Sequence, residues 1–260
     1  MSTTRPLLLH LAMSHYNEKA RWALDYKQVD HTRRAVIPGM HVAIAKRVGG
    51  DKTFPILIVG DRVYRDSAEI IAGLEVLKPD PPLIPVDPDE RQRALLIQKE
   101  FDDIYGPAIR ALGYQALLES PSTLASFMSY GGSPLRSLIL RATTRAMIPG
   151  VRALHAVPET GDPRPLETTE RALSRLDELL SESRTSYLVG DNFTVADLTV
   201  CALLAFGVCP DLVPGGGLPP WPAPLASRLA DLADRHPSAG WVRATYRSHR
   251  NAHAPEPVRA

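Results

Sequence analysis

The spacing of apolar residues changes character once along this chain. Through the first eighty residues it switches between the two-residue period of strands and the wider period of helices. Residues 7–11 are a short apolar run of strand length. Residues 15–27 place Tyr16, Ala20, Ala23, Leu24 and Lys27 on one helical face. Residues 32–36 form a weaker strand, and residues 38–50 a short helix with a glycine stop. Residues 55–59 are β-branched and apolar. Gly60-Asp61 turns them back into Arg62-Val63-Tyr64, a hairpin pattern. Residues 67–77 then form a helix with Ile70, Ile71, Leu74 and Leu77 inward. The predicted order is β-α-β-α-β-β-α.

Prolines 79, 81, 82, 85 and 88 follow, too many for a helix to continue and enough for a stiff surface connection. Beyond them only the helical period persists. Residues 89–118 read as a long helix broken or kinked at Gly106-Pro107. Residues 119–165 are punctuated by Gly131-Gly132-Ser133-Pro134 and Pro149-Gly150, with a loop at 158–165, and residues 166–180 are a clear helix. Thr194 with Asp197 three residues later has the spacing of a capping box, and Phe193 with Leu198 that of its hydrophobic staple. The chain thus divides into an α/β unit at 1–79, a linker at 80–88 and an all-α unit at 89–260.

Composition narrows the function classes. A chain of 260 residues can bury a sizeable core. A net charge of +1 supplies no global field for nucleic acid or an anionic membrane. No apolar stretch approaches the ~20 residues of a membrane span, and residues 1–5 do not open a secretory signal. Cys201 and Cys209 have no metal-binding spacing and read as buried, reduced thiols, which makes the cytoplasm the default location. His10, His155 and His236 show no ligand spacing, so no metal is expected.

The chemistry concentrates where the first strand meets the first helix, at Ala12-Met13-Ser14-His15-Tyr16-Asn17-Glu18. It continues at Phe54-Pro55 and Asp66-Ser67. This order resembles the glutathione S-transferase superfamily, and the Thr194–Asp197 capping box is a second anchor for the likeness. The resemblance implies a thioredoxin-like amino-terminal domain followed by an all-α carboxy-terminal domain. It also implies a homodimer, and glutathione as cosubstrate with a small electrophilic partner.

By that resemblance Ser14 is the catalytic hydroxyl, Phe54 pairs its backbone with the cysteinyl part of glutathione, and Pro55 is cis. Ser67 takes the γ-glutamyl carboxylate and Asp66 the ammonium, while Lys52 stands where several classes contact the glycyl carboxylate. The second substrate is expected against the helix after Asp89, with Tyr16, Asn17, Tyr105 and Arg110 as pocket candidates and Asp102, Asp103 and Tyr114 near them by position. Serine first and asparagine fourth leave no dithiol for exchange chemistry.

Each of these residues also has a plainer reading. Ser14 and Asp66 can simply cap helices. Pro55 can be an ordinary strand-start proline, and Lys52 a solvated loop lysine. The stretch from Arg136 to Arg145 can touch a membrane or a partner, or pack over the cleft with its arginines in water.

Energetics favour a shared role for Ser14 and its helix. A thiol with pKa about 8.5 must drop by roughly two units, or about 3 kcal/mol, to be mostly thiolate near neutrality. A helix amino terminus supplies about 0.3–2 kcal/mol and a hydrogen bond to a charged group about 1.5–3 kcal/mol. The expected chemistry is therefore a glutathione thiolate attacking an apolar or aromatic electrophile. Conjugation, ether cleavage, dehalogenation and isomerisation are not separated. The same fold with a different small thiol, or a non-catalytic binding module, are the alternatives.

Overall fold

The computed structural model describes residues 5–49, 52–130, 134–214 and 218–250. Four strands form one sheet: β1 (Leu7–His10), β2 (Thr32–Ala35), β3 (Ile56–Val59) and β4 (Arg62–Tyr64), in the order β2-β1-β3-β4. β1 runs parallel to β2 and antiparallel to β3, with Leu8 opposite Arg33 and Leu57; β4 returns antiparallel to β3. The turn between β3 and β4 places Gly60 at φ 58, a conformation glycine accepts without strain.

Strand alternation sorts the sheet faces. Leu8 and Leu57 join Trp22, Leu24, Ile70 and Leu74 in the main core, under α1 (His15–Tyr26) and α3 (Ser67–Leu77). Leu9 and Ile56 point the other way, into a smaller cluster with Val36, Phe54 and Ala45 of α2 (Met40–Arg47).

The helical part comprises α4 (Pro88–Glu100), α5 (Gly106–Leu118), α6 (Pro121–Ser129), α7 (Pro134–Leu154), α8 (Arg164–Glu182), α9 (Val195–Val208), α10 (Ala223–Arg235) and α11 (Ser238–Thr245). A π-helical segment, Phe101–Tyr105, joins α4 to α5, and Gly106-Pro107 opens α5 rather than ending a helix. Pro at the second position of a helix costs no hydrogen bond, which is why no break occurs there. Pro149-Gly150 lies inside α7, where the proline removes one intrahelical bond and the helix continues to Leu154. The Gly131-Gly132-Ser133 stretch lies outside the described residues.

α9 is almost wholly buried. The Thr194 side chain accepts from Ala196 N–H, and Asp197 accepts from Thr194 N–H at 2.8 Å, so the capping box forms. Asp197 also accepts from Leu188 N–H at 2.8 Å. Phe193 and Leu198 are both in the main core.

The two parts share that core. Trp22 of α1 packs on Phe193 and Tyr246, with ring centroids 5.6 and 4.8 Å apart. Lys27, fully buried at the end of α1, donates to the carbonyls of Lys78, Pro79 and Pro81 at 2.8, 3.1 and 2.8 Å and pairs with Glu75 at 2.6 Å. The linker is then tied to α9 by Val195 N–H donating to Leu83 O at 2.7 Å. A terminal π-turn, Tyr246–Arg250, returns to α1. There the buried Arg250 meets Glu18 at 2.5 Å and Asp25 at 2.7 Å, and Tyr246 donates to Glu18 at 2.8 Å. Among the described residues no helix is long and apolar enough to cross a membrane.

Candidate active site

A cavity of about 950 Å³ opens between the sheet end of the amino-terminal part and the helices. Ser14 lies on its wall. Its backbone is extended (φ −102, ψ 129), and its carbonyl accepts the first helical N–H, from Glu18, at 2.9 Å. The Ser14 side chain makes no capping bond, so the hydroxyl stays uncommitted at the positive end of α1. The plain capping role is not what the geometry shows.

The Ser14 loop is fixed by two side chains of α1 that face away from the cavity. Asn17 is fully buried. Its Oδ1 accepts from Leu11 N–H at 2.9 Å, and its Nδ2 donates to the Phe54 carbonyl at 3.1 Å. Arg21 donates to the carbonyls of Leu11 and Ala12 at 3.3 and 3.2 Å, while Glu18 holds its Nε at 2.8 Å. Burial alone would raise the Glu18 carboxyl, but the Arg250 and Arg21 charges overturn this and hold it at about 2.

The Phe54–Pro55 peptide bond is cis, and both residues line the cavity beside Lys52. Lys52 is exposed and makes no ion pair among the described residues. Asp66 caps α3 by accepting from Glu69 N–H at 2.7 Å. The reciprocal bond of a capping box lands one residue early, from Arg65 N–H to Glu69 Oε2 at 2.7 Å. Ser67 is buried at the first turn of α3 and lines the cavity, and its hydroxyl makes no hydrogen bond among the described residues. Ser14, Lys52, Phe54, Pro55, Asp66 and Ser67 are therefore brought together.

The second-substrate expectations divide. Arg110 and Tyr16 line the cavity, as do Asp102, Asp103 and Tyr114. Asn17 does not; both ends of its amide are spent inside the protein. Tyr105 does not either: it is buried against Phe101 and its hydroxyl donates to Glu100 at 3.2 Å. Helical spacing placed Tyr105 near the cleft, but the widened turn at 101–105 rotates it away. Nor is Tyr16 a free donor, since its hydroxyl donates to the Asp102 carbonyl at 2.6 Å. Gly106 permits this contact, because a Cβ there would come within 2.3 Å of Tyr16 Oη.

Charge is distributed unevenly around the cavity. Asp66, which precedes Ser67, lines the cavity together with Asp102 and Asp103 and acts electrostatically on Asp102. Burial raises the Asp102 carboxyl, and Lys19, fully buried, opposes this through a 2.5 Å contact to Oδ2. Asp102 Oδ1 is buried without a partner. His15 bonds through Nε2 to Gly106 O at 3.0 Å. Burial and the Arg110 charge push its pKa down to about 3, so it is neutral near pH 7 and Nε2 is the donor. Of the aromatic partners of Trp22, Phe193 is marked in the sequence by its hydrophobic staple, whereas no local signal marks Tyr246. Among the described residues no group of three or more His, Cys, Asp or Glu could hold a metal ion.

Residues 8–82 match the family model described as the amino-terminal domain of glutathione S-transferase, and residues 162–211 that of its carboxy-terminal domain. A probable maleylacetoacetate isomerase of Caenorhabditis elegans is 27% identical over 206 residues, 78% of this chain and 79% of its own. A glutathione S-transferase of Ceriporiopsis subvermispora, solved with glutathione, has a TM-score of 0.64 at 15% identity, over 97% of this chain and 100% of its own. A bacterial maleyl pyruvate isomerase, of the Zeta class, has a TM-score of 0.60 at 20% identity, over 96% of this chain and 99% of its own. The likeness to these two structures is one of fold. The site loops at Ser14, Phe54-Pro55 and Asp66-Ser67 fall inside the first matched stretch and the Thr194–Asp197 cap inside the second. The chain is on these grounds a glutathione S-transferase-like enzyme and belongs to the glutathione S-transferase superfamily.

Proposed function

We propose that the protein binds glutathione along the Lys52, Phe54-Pro55 and Asp66-Ser67 wall and holds it as the thiolate. The observation that carries this is the uncommitted Ser14 hydroxyl at the amino end of α1, on the same wall. Ser14 donates to the sulfur and remains neutral, while the thiol proton leaves to solvent. The thiolate then attacks an electrophilic carbon of a substrate seated against α5. Ser67, with the α3 amino end, suits a carboxylate. The acidic end at Asp66 and Asp102 suits the γ-glutamyl ammonium. The isomerase relatives put glutathione-assisted isomerisation among the reactions to assay, beside conjugation and ether cleavage. Exposed apolar side chains on α3, on α4 and in the segment after it, including Val76, Leu96 and Ile104, support a homodimer, and two buried free cysteines suit the reducing cytoplasm.

Calorimetric titration with reduced glutathione tests this reading, beside Ser14→Ala. Wild type should bind with release of a proton to the buffer. Loss of a hydrogen bond to a charged sulfur, about 1.5–3 kcal/mol, should raise the bound thiol pKa by roughly one to two units. Turnover should fall ten- to a hundredfold or more near neutral pH. Absence of binding by the folded protein would remove glutathione and direct attention to another small thiol.

A further inference from the structure

Arg110 breaks the pattern of the face it stands on. In α5 it shares one stripe with Gly113, Tyr114 and Leu117, and all four line the cavity. Gly113 lets the Trp221 ring close the wall, within 3.0 Å of where a Cβ would be. Elsewhere this chain pairs the arginines it buries: Arg21 with Glu18, and Arg250 with Glu18 and Asp25. That is what the cost of desolvating a guanidinium demands.

Arg110 has neither an ion pair nor a hydrogen bond among the described residues, and its Nε is buried without an acceptor. Its guanidinium lies 5.9 Å over the Tyr16 ring, a contact that orients it but does not neutralise it. The nearby acids are taken. Asp102 is paired with Lys19 and Asp103 with Lys99.

Two further side-chain donors stand beside it that make no hydrogen bond among the described residues. Tyr114, one helical turn on, stacks its ring on His155 with centroids 4.6 Å apart and planes at 16°. His155 is held at about 4 by burial and by the Arg110 charge, so it is neutral near pH 7 and has one N–H to give. Burial pushes the Tyr114 hydroxyl up to about 12, which keeps its proton on. The walls around these groups are otherwise apolar, with Leu117, Met128 and Trp221 among them.

We propose that Arg110, with Tyr114 and His155, forms an anion subsite that takes a carboxylate of the second substrate. The planar fork of a guanidinium matches a carboxylate through two parallel hydrogen bonds. The apolar body of the substrate lies along the same wall. Resting on the thiolate reading above, this makes the acceptor an apolar or aromatic carboxylic acid whose reacting carbon lies between Arg110 and Ser14. A neutral electrophile would leave the half-buried guanidinium without a partner on the cavity wall, so the subsite selects against it.

Two matched ligand pairs test this on the whole protein. The first is S-(carboxypentyl)glutathione against S-hexylglutathione, which differ only at the chain end. The second needs no glutathione: anilinonaphthalene sulfonate, standing in for the monoanion, against the neutral phenylnaphthylamine. Wild type should prefer the anionic member of each pair by about tenfold or more, the worth of a charge-assisted hydrogen bond. Arg110→Leu should bring both ratios to about one, and Arg110→Lys should restore part of them. Equal affinities in wild type, or ratios unchanged in Arg110→Leu, would overturn the subsite. The wild-type ratios decide even if the leucine variant fails to fold. If neither glutathione conjugate binds but the naphthyl pair still discriminates through Arg110, the thiol reading has failed and the anion subsite stands.

Discussion

Replacing Arg250 by methionine tests whether the carboxy-terminal turn anchors the helix that carries Ser14. Methionine keeps much of the aliphatic volume and removes the charge. In the native protein Arg250 is buried between Glu18 and Asp25, and Glu18 also accepts from Arg21 and Tyr246. Deleting one partner of a buried pair costs about 3–5 kcal/mol, because the remaining charge is stranded. The retained partners Arg21 and Arg33 place the expected loss toward the lower end.

The Glu18 titration supplies an independent magnitude. Its native value of about 2 lies below an ordinary 4.5, a difference of roughly 2.5 units or about 3 kcal/mol. A depressed acid stabilises the fold above its unfolded pKa, and that contribution disappears as pH falls from 4.5 toward 2. The gap between wild type and variant should therefore be widest near neutrality and shrink as the buffer is made more acid than 4.5. Urea unfolding at about pH 7 and about pH 3.5 reads both quantities. A loss below about 1 kcal/mol near neutrality would refute the clamp. A gap that does not change between the two buffers would show that methionine disturbed packing rather than charge.

Asn17→Ala strands Leu11 N–H and the Phe54 carbonyl, each costing about 1–3 kcal/mol, and should lower the unfolding midpoint far more than a surface change. Asn17→Asp keeps the acceptor for Leu11 but sets a buried carboxylate oxygen against the Phe54 carbonyl, and should cost at least as much. Gly106→Ala forces Tyr16 off the Asp102 carbonyl and should cost about 1–3 kcal/mol as an overpacked contact, read from the same midpoint. His15 is native at about 3 against 6.5. The unfolded chain therefore binds the extra proton between those values, and stability falls with acid through that window. At about pH 4 the contribution lost is about 3 kcal/mol, and His15→Asn should flatten that part of the stability profile.

Local rules made the amino-terminal half legible. Strands β1 and β3 are compact apolar runs, Gly60 fixes the hairpin, and Ser14 and Ser67 sit where a strand or loop enters a helix. Those signals lie within a few residues of the structure they specify. The errors came where the deciding contact is remote. Asn17 is a pocket candidate by its place in the Ser14 motif, and position in the motif does not show that its amide is spent on Leu11 and Phe54. Glu18 and Asp25 look like an ordinary solvated face of α1, but their partner Arg250 is more than two hundred residues away. Tyr105 turned aside because of a π-helical widening that no residue pattern announces. Pro149 stayed inside α7, where the proline rule alone predicts an end.

The same contrast separates structural charge from charge that awaits a ligand. Lys19, Arg21, Lys27, Arg33 and Arg250 each meet a carboxylate of this chain. Their burial is a matter of holding α1 against the sheet, the linker and the carboxy-terminal turn. Among the described residues, six buried polar atoms lack a partner, and the only two on residues lining the large cavity are Asp102 Oδ1 and Arg110 Nε. They are opposite in character. One belongs to Asp102, within the electrostatic reach of Asp66 and Asp103, and the other to the guanidinium over Tyr16. Both atoms are buried, one an acceptor and one a donor, on residues that line the same cavity. A ligand pair with its ammonium toward Asp66 and Asp102 and its carboxylate toward the Arg110 guanidinium matches the charges of the wall, and the reverse orientation opposes them. The order of the groups along the cavity thus follows from where this chain places opposite charges on its wall, and Arg110→Glu should exclude the carboxylate while leaving Asp102 paired with Lys19.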